Sequence, residues 1–469
     1  MFVLSPMKLP HIYSLICSSV LCYIFFVLAG GCAQIGAPVG GPRDSLPPNL
    51  VTEIPENQTT NFQGKTIRLT FDEYIQIADI QKNLLVSPTP VINPNVNWKL
   101  KDVTIRLRDT LQPNTTYVID LGNAIQDINE NNPYRNYKYV FSTGNYIDSL
   151  TFSGNVKIAE TGKADSTLIA LLYNDLDDSA VLKHKPRYIT KLDSAGNFTF
   201  TNLPGGTYNI FALKDEGGQR YYSNKSYLFA FADSPVIVTE NTRPLKLLAS
   251  AAERPPAKGA GSSASSKNAS LQVAVSISGG QQDLLTPITI TSVTQLASFD
   301  SSKIKLTDTL YNLFPNVSYN LDTSRKIITL RHPWQENTDY FLILDSAYAT
   351  DSSGLTVAKA DTVAFKSKKE SDYGSIRLNF TNLDQFTHPV LQFVSNDKVV
   401  NSYPLQSPSL SIRLFNPGDY EMRILEDRNQ NGIWDPGNYE TKLQPEQVLF
   451  INQKINIRAN WDNEKDIIL

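Results

Sequence analysis

Hydrophobic residues alternate with polar ones along short stretches of this 469-residue chain, the pattern of β-strands buried on one face. Turn-forming sequences such as Gln112-Pro113-Asn114 separate these stretches. Tyrosine (22) and phenylalanine (21) far outnumber methionine (3), which favours strands over helices. The pattern predicts an all-β protein of tandem β-sandwich domains. The clearest alternating triplets are Ile67, Leu69 and Phe71; Val103, Ile105 and Leu107; and Tyr117, Ile119 and Leu121.

The second half of the chain repeats motifs of the first half in the same order. LQPNTTY at 111–117 matches WQENTDY at 334–340, and an alanine lies seven residues beyond the tyrosine in both. A Pro-Gly turn precedes Tyr208 in one half and Tyr420 in the other, and an aspartate follows each tyrosine after seven residues. Several matches in one order indicate two copies of a two-domain unit.

Two family resemblances describe this unit. The segments PPNLVTEIPENQ, IRLTFDEYI, LQPNTTYVIDLGNAIQDINENN and YVFSTG resemble the Ig-like domain of SbsA-type S-layer proteins, which recurs in lipoproteins of the Bacteroidota. The segment GNFTFTNLPGGTYNI is similar to transthyretin-like modules known as carboxypeptidase-regulatory-like domains. The resemblances imply Ig-like and transthyretin-like sandwiches in two alternating pairs, with accessory rather than catalytic roles.

Composition and motifs together divide the chain into seven segments. The segment before residue 271 is rich in Pro, Gly and Ser, so we expect the two halves that it joins to move independently. The segments are a lipoprotein signal peptide (1–31), a Gly/Pro-rich tether (32–49), an SbsA-type Ig-like domain (50–146), a transthyretin-like sandwich (147–242), a low-complexity linker (243–270), a degenerate second Ig-like domain (271–370) and a second transthyretin-like sandwich (371–469).

The N-terminus has the features of an export signal. Lys8 and His11 precede an apolar run over residues 12–27, which ends in Leu28-Ala29-Gly30-Gly31-Cys32. This ending resembles the lipobox of bacterial lipoproteins, although the leucine lies one position further from the cysteine than usual. The resemblance implies cleavage before Cys32, its acylation and a membrane partner. The alternative is an uncleaved membrane helix.

Cysteine usage agrees with an anchor. The three cysteines are Cys17, Cys22 and Cys32, so cleavage leaves one cysteine and no disulfide. In many bacterial lipoproteins an aspartate after the acylated cysteine retains the protein in the inner membrane. Ala33 holds that position here, which by resemblance implies the outer membrane, with the periplasmic and cell-surface faces both open.

The sequence offers little for catalysis or for nucleic acid. A net charge of −3 without basic runs argues against a nucleic-acid partner. His184, His332 and His388 are scattered, and no nucleophile motif accompanies them. We therefore expect no enzyme activity, while a hydrolase with two carboxylates meeting in three dimensions remains an alternative.

One loop has the spacing of a calcium site. The oxygen-bearing residues occupy loop positions 1, 3, 5 and 9, Gly432 stands at position 6, and a backbone carbonyl would serve position 7. Asn438 replaces the usual glutamate at position 12, which predicts weak affinity. The alternative is an Asx-rich turn between strands. The candidate ligands are Asp427, Asn429, Asn431, Ile433 and Asp435.

The function that these features favour is non-enzymatic. The chain is predicted to be a membrane-anchored cell-envelope lipoprotein with a structural or adhesion-type role. One alternative is a protein that binds a carbohydrate or polymer through alternating aromatics such as Tyr227, Phe229 and Phe231, which otherwise fill sandwich cores. Another is an accessory subunit of an outer-membrane complex, with an envelope protein as its partner.

Overall fold

The computed structural model describes residues 18–21, 44–253 and 270–469. In these residues the chain forms 34 short strands, most of them in antiparallel pairs, together with a few helices of one turn. The predicted all-β fold is therefore confirmed. The strands group into four sandwiches along the chain, each with a hydrophobic core of its own.

The first sandwich packs the sheet β1-β2-β6-β5 against the sheet β4-β7-β9, with β3 and β8 as a separate pair. The alternation seen in the sequence sets its core, because Ile67, Leu69, Val103 and Ile105 are fully buried between the sheets. Its elements are β1 (Leu50–Ile54), β2 (Thr66–Phe71), β3 (Ile75–Ile77), α1 (Ile80–Asn83), β4 (Leu85–Ser87), β5 (Asn95–Lys99), β6 (Asp102–Arg106), β7 (Thr116–Gly122), β8 (Ile125–Asp127) and β9 (Tyr137–Ser142).

The second sandwich has a different topology. The sheet β13-β10-β17 faces the sheet β12-β11-β14-β15, and β16 also pairs with β14. Within the first sheet β10 and β17 run parallel. Its elements are β10 (Leu150–Ile158), β11 (Leu168–Tyr173), α2 (Ala180–Lys183), β12 (Tyr188–Lys191), β13 (Asn197–Leu203), β14 (Gly206–Lys214), β15 (Phe229–Phe231), β16 (Val236–Val238) and β17 (Leu245–Ala249).

The third sandwich repeats the strand order of the first. Its sheets are β18-β20-β24-β23 and β19-β27-β25-β22, and β21 pairs with β26 as β3 pairs with β8. Its elements are β18 (Val273–Val275), β19 (Gln281–Gln282), β20 (Ile288–Ser292), β21 (Leu296–Phe299), a 3₁₀ turn (Ser301–Lys303), β22 (Ile304–Thr307), β23 (Ser318–Leu321), β24 (Ile327–Arg331), β25 (Asp339–Leu344), β26 (Ala349–Asp351) and β27 (Asp361–Ser367).

The fourth sandwich repeats the strand order of the second. The sheet β31-β28-β34 faces the sheet β30-β29-β32-β33, and β28 and β34 are parallel as β10 and β17 are. Its elements are two 3₁₀ turns (Glu370–Asp372 and Leu383–Gln385), β28 (Gly374–Thr381), β29 (Pro389–Ser395), β30 (Lys398–Pro404), β31 (Ser409–Phe415), β32 (Gly418–Glu426), β33 (Val448–Ile457) and β34 (Asp462–Ile468).

The repeated motifs make the same local structure in both halves. The hydroxyl of Tyr117 accepts the N–H of Gln112 at 2.8 Å, and that of Tyr340 accepts the N–H of Gln335 at 3.1 Å. Each bond ties the start of a strand to the turn before it, as the tyrosine corner does in Ig-like sandwiches. The first and third sandwiches therefore share both topology and a specific side-chain contact.

The first and second sandwiches contact one another directly, and so do the third and fourth. Between the first and second, Thr89 N–H donates to the carbonyl of Arg187 at 2.8 Å, and Leu85 joins a cluster of buried side chains on the second. Between the third and fourth, Leu284 N–H donates to the hydroxyl of Tyr373 at 2.7 Å. In the described residues, the first and the third sandwich are thus each held against the sandwich that follows.

Candidate functional site

The candidate calcium loop connects β32 to β33 in the fourth sandwich. Asp427, its first residue, is 2% exposed, and its carboxylate accepts the N–H of Asn431 at 3.1 Å and that of Gly432 at 2.7 Å. Gly432 has a φ of 79°, a left-handed conformation that glycine adopts without strain. The aspartate therefore folds the loop back on itself.

The structure brings the predicted ligand side chains together. The amide nitrogens of Asn429 and Asn431 each donate to Asp435 Oδ2 at 2.7 Å, while the side chain of Ile433 is 58% exposed. A cation bound beside the Asp435 carboxylate would require both amides to turn their oxygens, instead of their nitrogens, toward it, because Ca²⁺ takes oxygen ligands. Among the described residues no three His, Cys, Asp or Glu side chains are grouped to hold a metal ion. The calcium site stays a prediction.

Glu446 belongs to this loop, although the sequence did not indicate it. It is 2% exposed, and its two carboxylate oxygens accept the N–H of Arg428 (2.8 Å) and the N–H of Asp435 (3.0 Å). Burial raises the pKa of Glu446, and the two backbone donors offset this only in part. The glutamate ties the beginning of the loop to its middle. An isolated acidic residue before a strand gave no periodic signal by which to find it.

The far side of the loop docks onto the second sandwich. The ring of Tyr439 meets Phe211, Phe229 and Phe231 edge-on, with centroids 5.2–5.6 Å apart, and its hydroxyl donates to the carbonyl of Asp178 at 2.9 Å. These edge-to-face contacts are the favourable geometry for aromatic pairs. Tyr439 is therefore an anchor between two sandwiches that lie far apart in sequence.

Polar contacts surround this anchor. Lys442 lies over the Tyr439 ring at 3.7 Å and pairs with Asp178 at 2.7 Å, and Gly437 N–H donates to Ser250 Oγ at 3.0 Å. These contacts contradict the expectation that the two halves move independently. That expectation rested on linker composition alone, which does not report whether the domains at its ends carry complementary surfaces.

A second set of contacts extends the interface along the sheet. Arg423 is 5% exposed and donates to the side-chain oxygen of Gln392 at 2.8 Å and to the carbonyl of Glu160 in the second sandwich. Trp434 packs with Ala159 of the second sandwich in a small buried cluster. The docked surface is thus apolar at its centre and satisfied by hydrogen bonds around it.

Comparison with known families identifies the first module. Residues 44–143 match the family model of the bacterial Ig-like domain. The predicted Ig-like character of the first sandwich is confirmed, and this domain lies within a larger protein of several sandwiches. No curated protein matches the chain.

Several solved structures are similar to the chain. The Bacillus anthracis TIE protein is 11% identical, covers 92% of this chain and 75% of its own, and has a TM-score of 0.18. BcpA, the major pilin subunit of Bacillus cereus, is 10% identical, covers 68% and 99%, and scores 0.17. The N-terminal part of the bacterial S-layer protein SbsC is 18% identical, covers 44% of each chain, and scores 0.16.

The three histidines after the apolar N-terminal run lie in three different sandwiches. His184 is exposed, with Nδ1 3.6 Å from Asp175 Oδ2. His332 packs among aromatic rings of the third sandwich in tilted and edge-on contacts, and burial lowers its pKa. His388 uses its backbone N–H to bond Glu426 at 2.9 Å. The structure does not bring these residues to one place.

The alternating aromatics have two different environments. In the bacterial Ig-like domain Tyr139 and Phe141 are fully buried in the core, as the core interpretation predicts. Phe229 and Phe231 instead lie on the outer face of the second sandwich, where Tyr439 covers them. Tyr227 beside them is half-buried. The interpretation that all of them fill sandwich cores is therefore wrong for this pair, which forms an interdomain contact.

The predicted anchor lies outside the described residues. Cys32 and nearly all of the apolar run before it belong to the segments that the structure does not describe. Within the residues that it does describe, no helix has the length and apolar character needed to cross a membrane.

Proposed function

We propose that this chain is a lipid-anchored, non-enzymatic protein of the envelope of a Gram-negative bacterium of the Bacteroidota, with a structural or adhesion-type role. In this proposal acylated Cys32 holds it to the outer membrane. Two SbsA-type Ig-like domains and two transthyretin-like modules then form a scaffold that presents the Ig-like surfaces away from the bilayer.

The observation that carries the proposal is the docking of the second and fourth sandwiches through the 427–446 loop. The loop contains the predicted ligand group, and its remaining side chains bind the second sandwich through Tyr439, Lys442 and Gln444. Buried carboxylates that accept backbone N–H groups stabilise loop geometry. The polar chemistry of the loop therefore supports a scaffold better than it supports catalysis.

The anchoring part rests on the sequence. Each buried CH₂ of an acyl chain contributes about 0.8 kcal/mol, so two or more chains give stable attachment to a bilayer. Gly30-Gly31-Cys32 follows an apolar run in the order that a lipoprotein signal requires. The proposal therefore makes the cysteine thiol, rather than a spanning helix, the point of attachment.

The test is fractionation and protease treatment of intact cells expressing the wild type, Cys32→Ala and the matched control Cys22→Ala. We expect the wild type and Cys22→Ala to stay with the membrane and Cys32→Ala to lose its lipid. Cleavage by protease added to whole cells supports a surface role. Protection until the outer membrane is opened would remove the adhesion role, and membrane retention of an unacylated Cys32→Ala variant would overturn lipid anchoring.

A further inference from the structure

A cleft opens at one end of the bacterial Ig-like domain, between the loop at 88–94 and the loop at 107–112. Tyr117 and Phe141 line it, and their rings are stacked at 5.2 Å with an interplanar angle of 9°. Asp109 Oδ2 accepts the N–H of Val91 at 2.6 Å and so joins the two loops. The cleft is therefore preformed.

The third sandwich has the same stacked pair, with more rings packed against it. Tyr340 and Phe365 stack at 5.4 Å and 11°. Two further rings cover Tyr340, since Phe314 lies 4.7 Å and Trp334 5.3 Å from its centroid. The homologous position is thus filled with aromatic side chains from the same chain.

Strand register shows which residues correspond. Val96 pairs with Ile105 in the first domain, and Tyr319 pairs with Leu330 in the third. Five residues before each of these strand residues stand Val91 and Phe314. By the repeated motif, Leu111 corresponds to Trp334. The first domain thus has smaller aliphatic residues where the third has rings, and Val91 is 82% exposed.

We propose that this cleft binds a phenylalanine-type ring from an extended segment of a partner protein, in the place that Phe314 occupies in the third sandwich. In the third sandwich Phe314 packs against the ring of Tyr340, the counterpart of Tyr117, and aromatic pairs of this kind are favourable. On the wall of the cleft, the hydroxyl of Thr89 is buried and has no hydrogen-bond partner in the described part of the chain. A bound segment whose backbone reaches this hydroxyl, once the side chains that cover it move aside, would satisfy it, since buried polar groups are almost always paired.

This site does not depend on how the chain is anchored. It also does not depend on the docking of the second and fourth sandwiches, because the cleft is built from residues of the first domain alone. A failure of the lipid-anchoring test would leave the site unaffected, and the reverse also holds.

The test uses the soluble Cys32→Ala chain and N-acetyl-phenylalaninamide as the probe, followed by methyl NMR of Leu111 and Val86. We expect saturable shifts with this probe, and at least tenfold weaker effects with N-acetyl-leucinamide. Val91→Phe, which fills the cleft, should weaken binding at least tenfold, whereas Val91→Ala should retain it. Val91 is exposed, so neither change disturbs the core.

Reciprocal substitution gives a second measurement. Phe314→Val should open the matching cleft in the third sandwich and produce a new set of probe-dependent shifts at Leu306. Absence of saturable shifts in the wild type, or equal binding by Val91→Phe, would overturn the site. A hexapeptide with a central phenylalanine should bind at least tenfold more tightly than the amide. Equal affinity of the two would overturn a protein partner and assign the cleft to small aromatic molecules.

Discussion

Asp127 shows how a single buried carboxylate shapes a turn in the bacterial Ig-like domain. It is 2% exposed and accepts the N–H groups of Glu130 (2.6 Å), Asn131 (2.9 Å) and Asn132 (2.9 Å). Burial acts to raise the pKa of Asp127, but the backbone donors outweigh it, so that the pKa lies below its usual value. Asp351 ends the matching strand of the third sandwich, and its pKa is lowered in the same way.

We expect Asp127→Asn to destabilise this domain by about 1 kcal/mol at pH 7, because an amide offers the turn only one accepting oxygen. The folded pKa of Asp127 is depressed, so its contribution is present above the unfolded pKa of about 3.9 and is lost as the pH falls through the folded value. Hydrogen exchange in β8 at several pH values measures this. A difference from wild type that stays constant down to about pH 2 would contradict it.

The tyrosine corners permit a paired test of the repeat. Tyr117→Phe and Tyr340→Phe each leave a turn N–H without its acceptor, and each should destabilise its own sandwich by about 1 kcal/mol. Hydrogen exchange resolved by peptide assigns the loss to a domain, and Tyr146→Phe, at an exposed tyrosine, serves as the control. A loss in only one of the two sandwiches would show that the corners are not energetically equivalent.

Residue-level prediction succeeded where one residue's role depends on its near neighbours. The alternate spacing of Ile67, Leu69 and Phe71 predicts a strand with one buried face, and all three side chains are buried. Glu446 could not be found in this way, because its partners Arg428 and Asp435 are brought to it only when the loop closes. Tyr439 was missed for a similar reason, since the rings that it contacts belong to a distant sandwich.

At the scale of elements, the loop between β32 and β33 serves two structural purposes. Its first part is an Asx-rich turn that Asp427 and Glu446 hold closed. Its second part projects Tyr439 toward the second sandwich. The sequence showed the spacing of the candidate calcium ligands. It could not show that the loop docks onto the second sandwich, because docking depends on a surface that strands of that sandwich supply.

The calcium hypothesis for this loop makes a thermal prediction. For a millimolar site, 10 mM Ca²⁺ should stabilise the fourth sandwich by about 1.4 kcal/mol relative to EDTA, because ligands that bind only the folded state raise its stability. Differential scanning calorimetry measures the shift, and Asp435→Asn should abolish it. Equal melting temperatures with Ca²⁺ and EDTA would leave the Asx-rich turn as the role of the loop.

At the scale of the molecule, the two halves of the chain form one assembly through the second and fourth sandwiches. The repeated tyrosine motifs predicted two kinds of domain, each used twice, and the structure has two strand topologies, each used twice. The sequence did not predict that the halves associate, because hydrophobic periodicity shows which face of a strand is buried in its own sandwich and carries no information about contacts between sandwiches. For this reason the sequence pattern predicts that Phe229 and Phe231 fill the core of their own sandwich, yet they contact Tyr439.

Cutting the chain within residues 254–269 at an introduced protease site tests this association. We expect the two fragments to elute together in size-exclusion chromatography. Tyr439→Ala should weaken their association by more than about 100-fold, because loss of a buried aromatic costs about 3 kcal/mol or more. Tyr146→Ala provides the control at an exposed tyrosine. Separation of the wild-type fragments at micromolar concentration would show that the linker, and not the interface, keeps the halves together.

The parallel pairing of β28 with β34 has a consequence for how the protein is made. β28 opens the fourth sandwich, yet one of its two neighbours, β34, is made much later, and Ile467 on that strand is fully buried in the core. During synthesis, β28 emerges long before β34 and offers an unpaired edge to other strands. The core of the fourth sandwich is therefore completed only after β34 has been made. A chain cut short before β34 would leave this edge open and the place of Ile467 in the core empty.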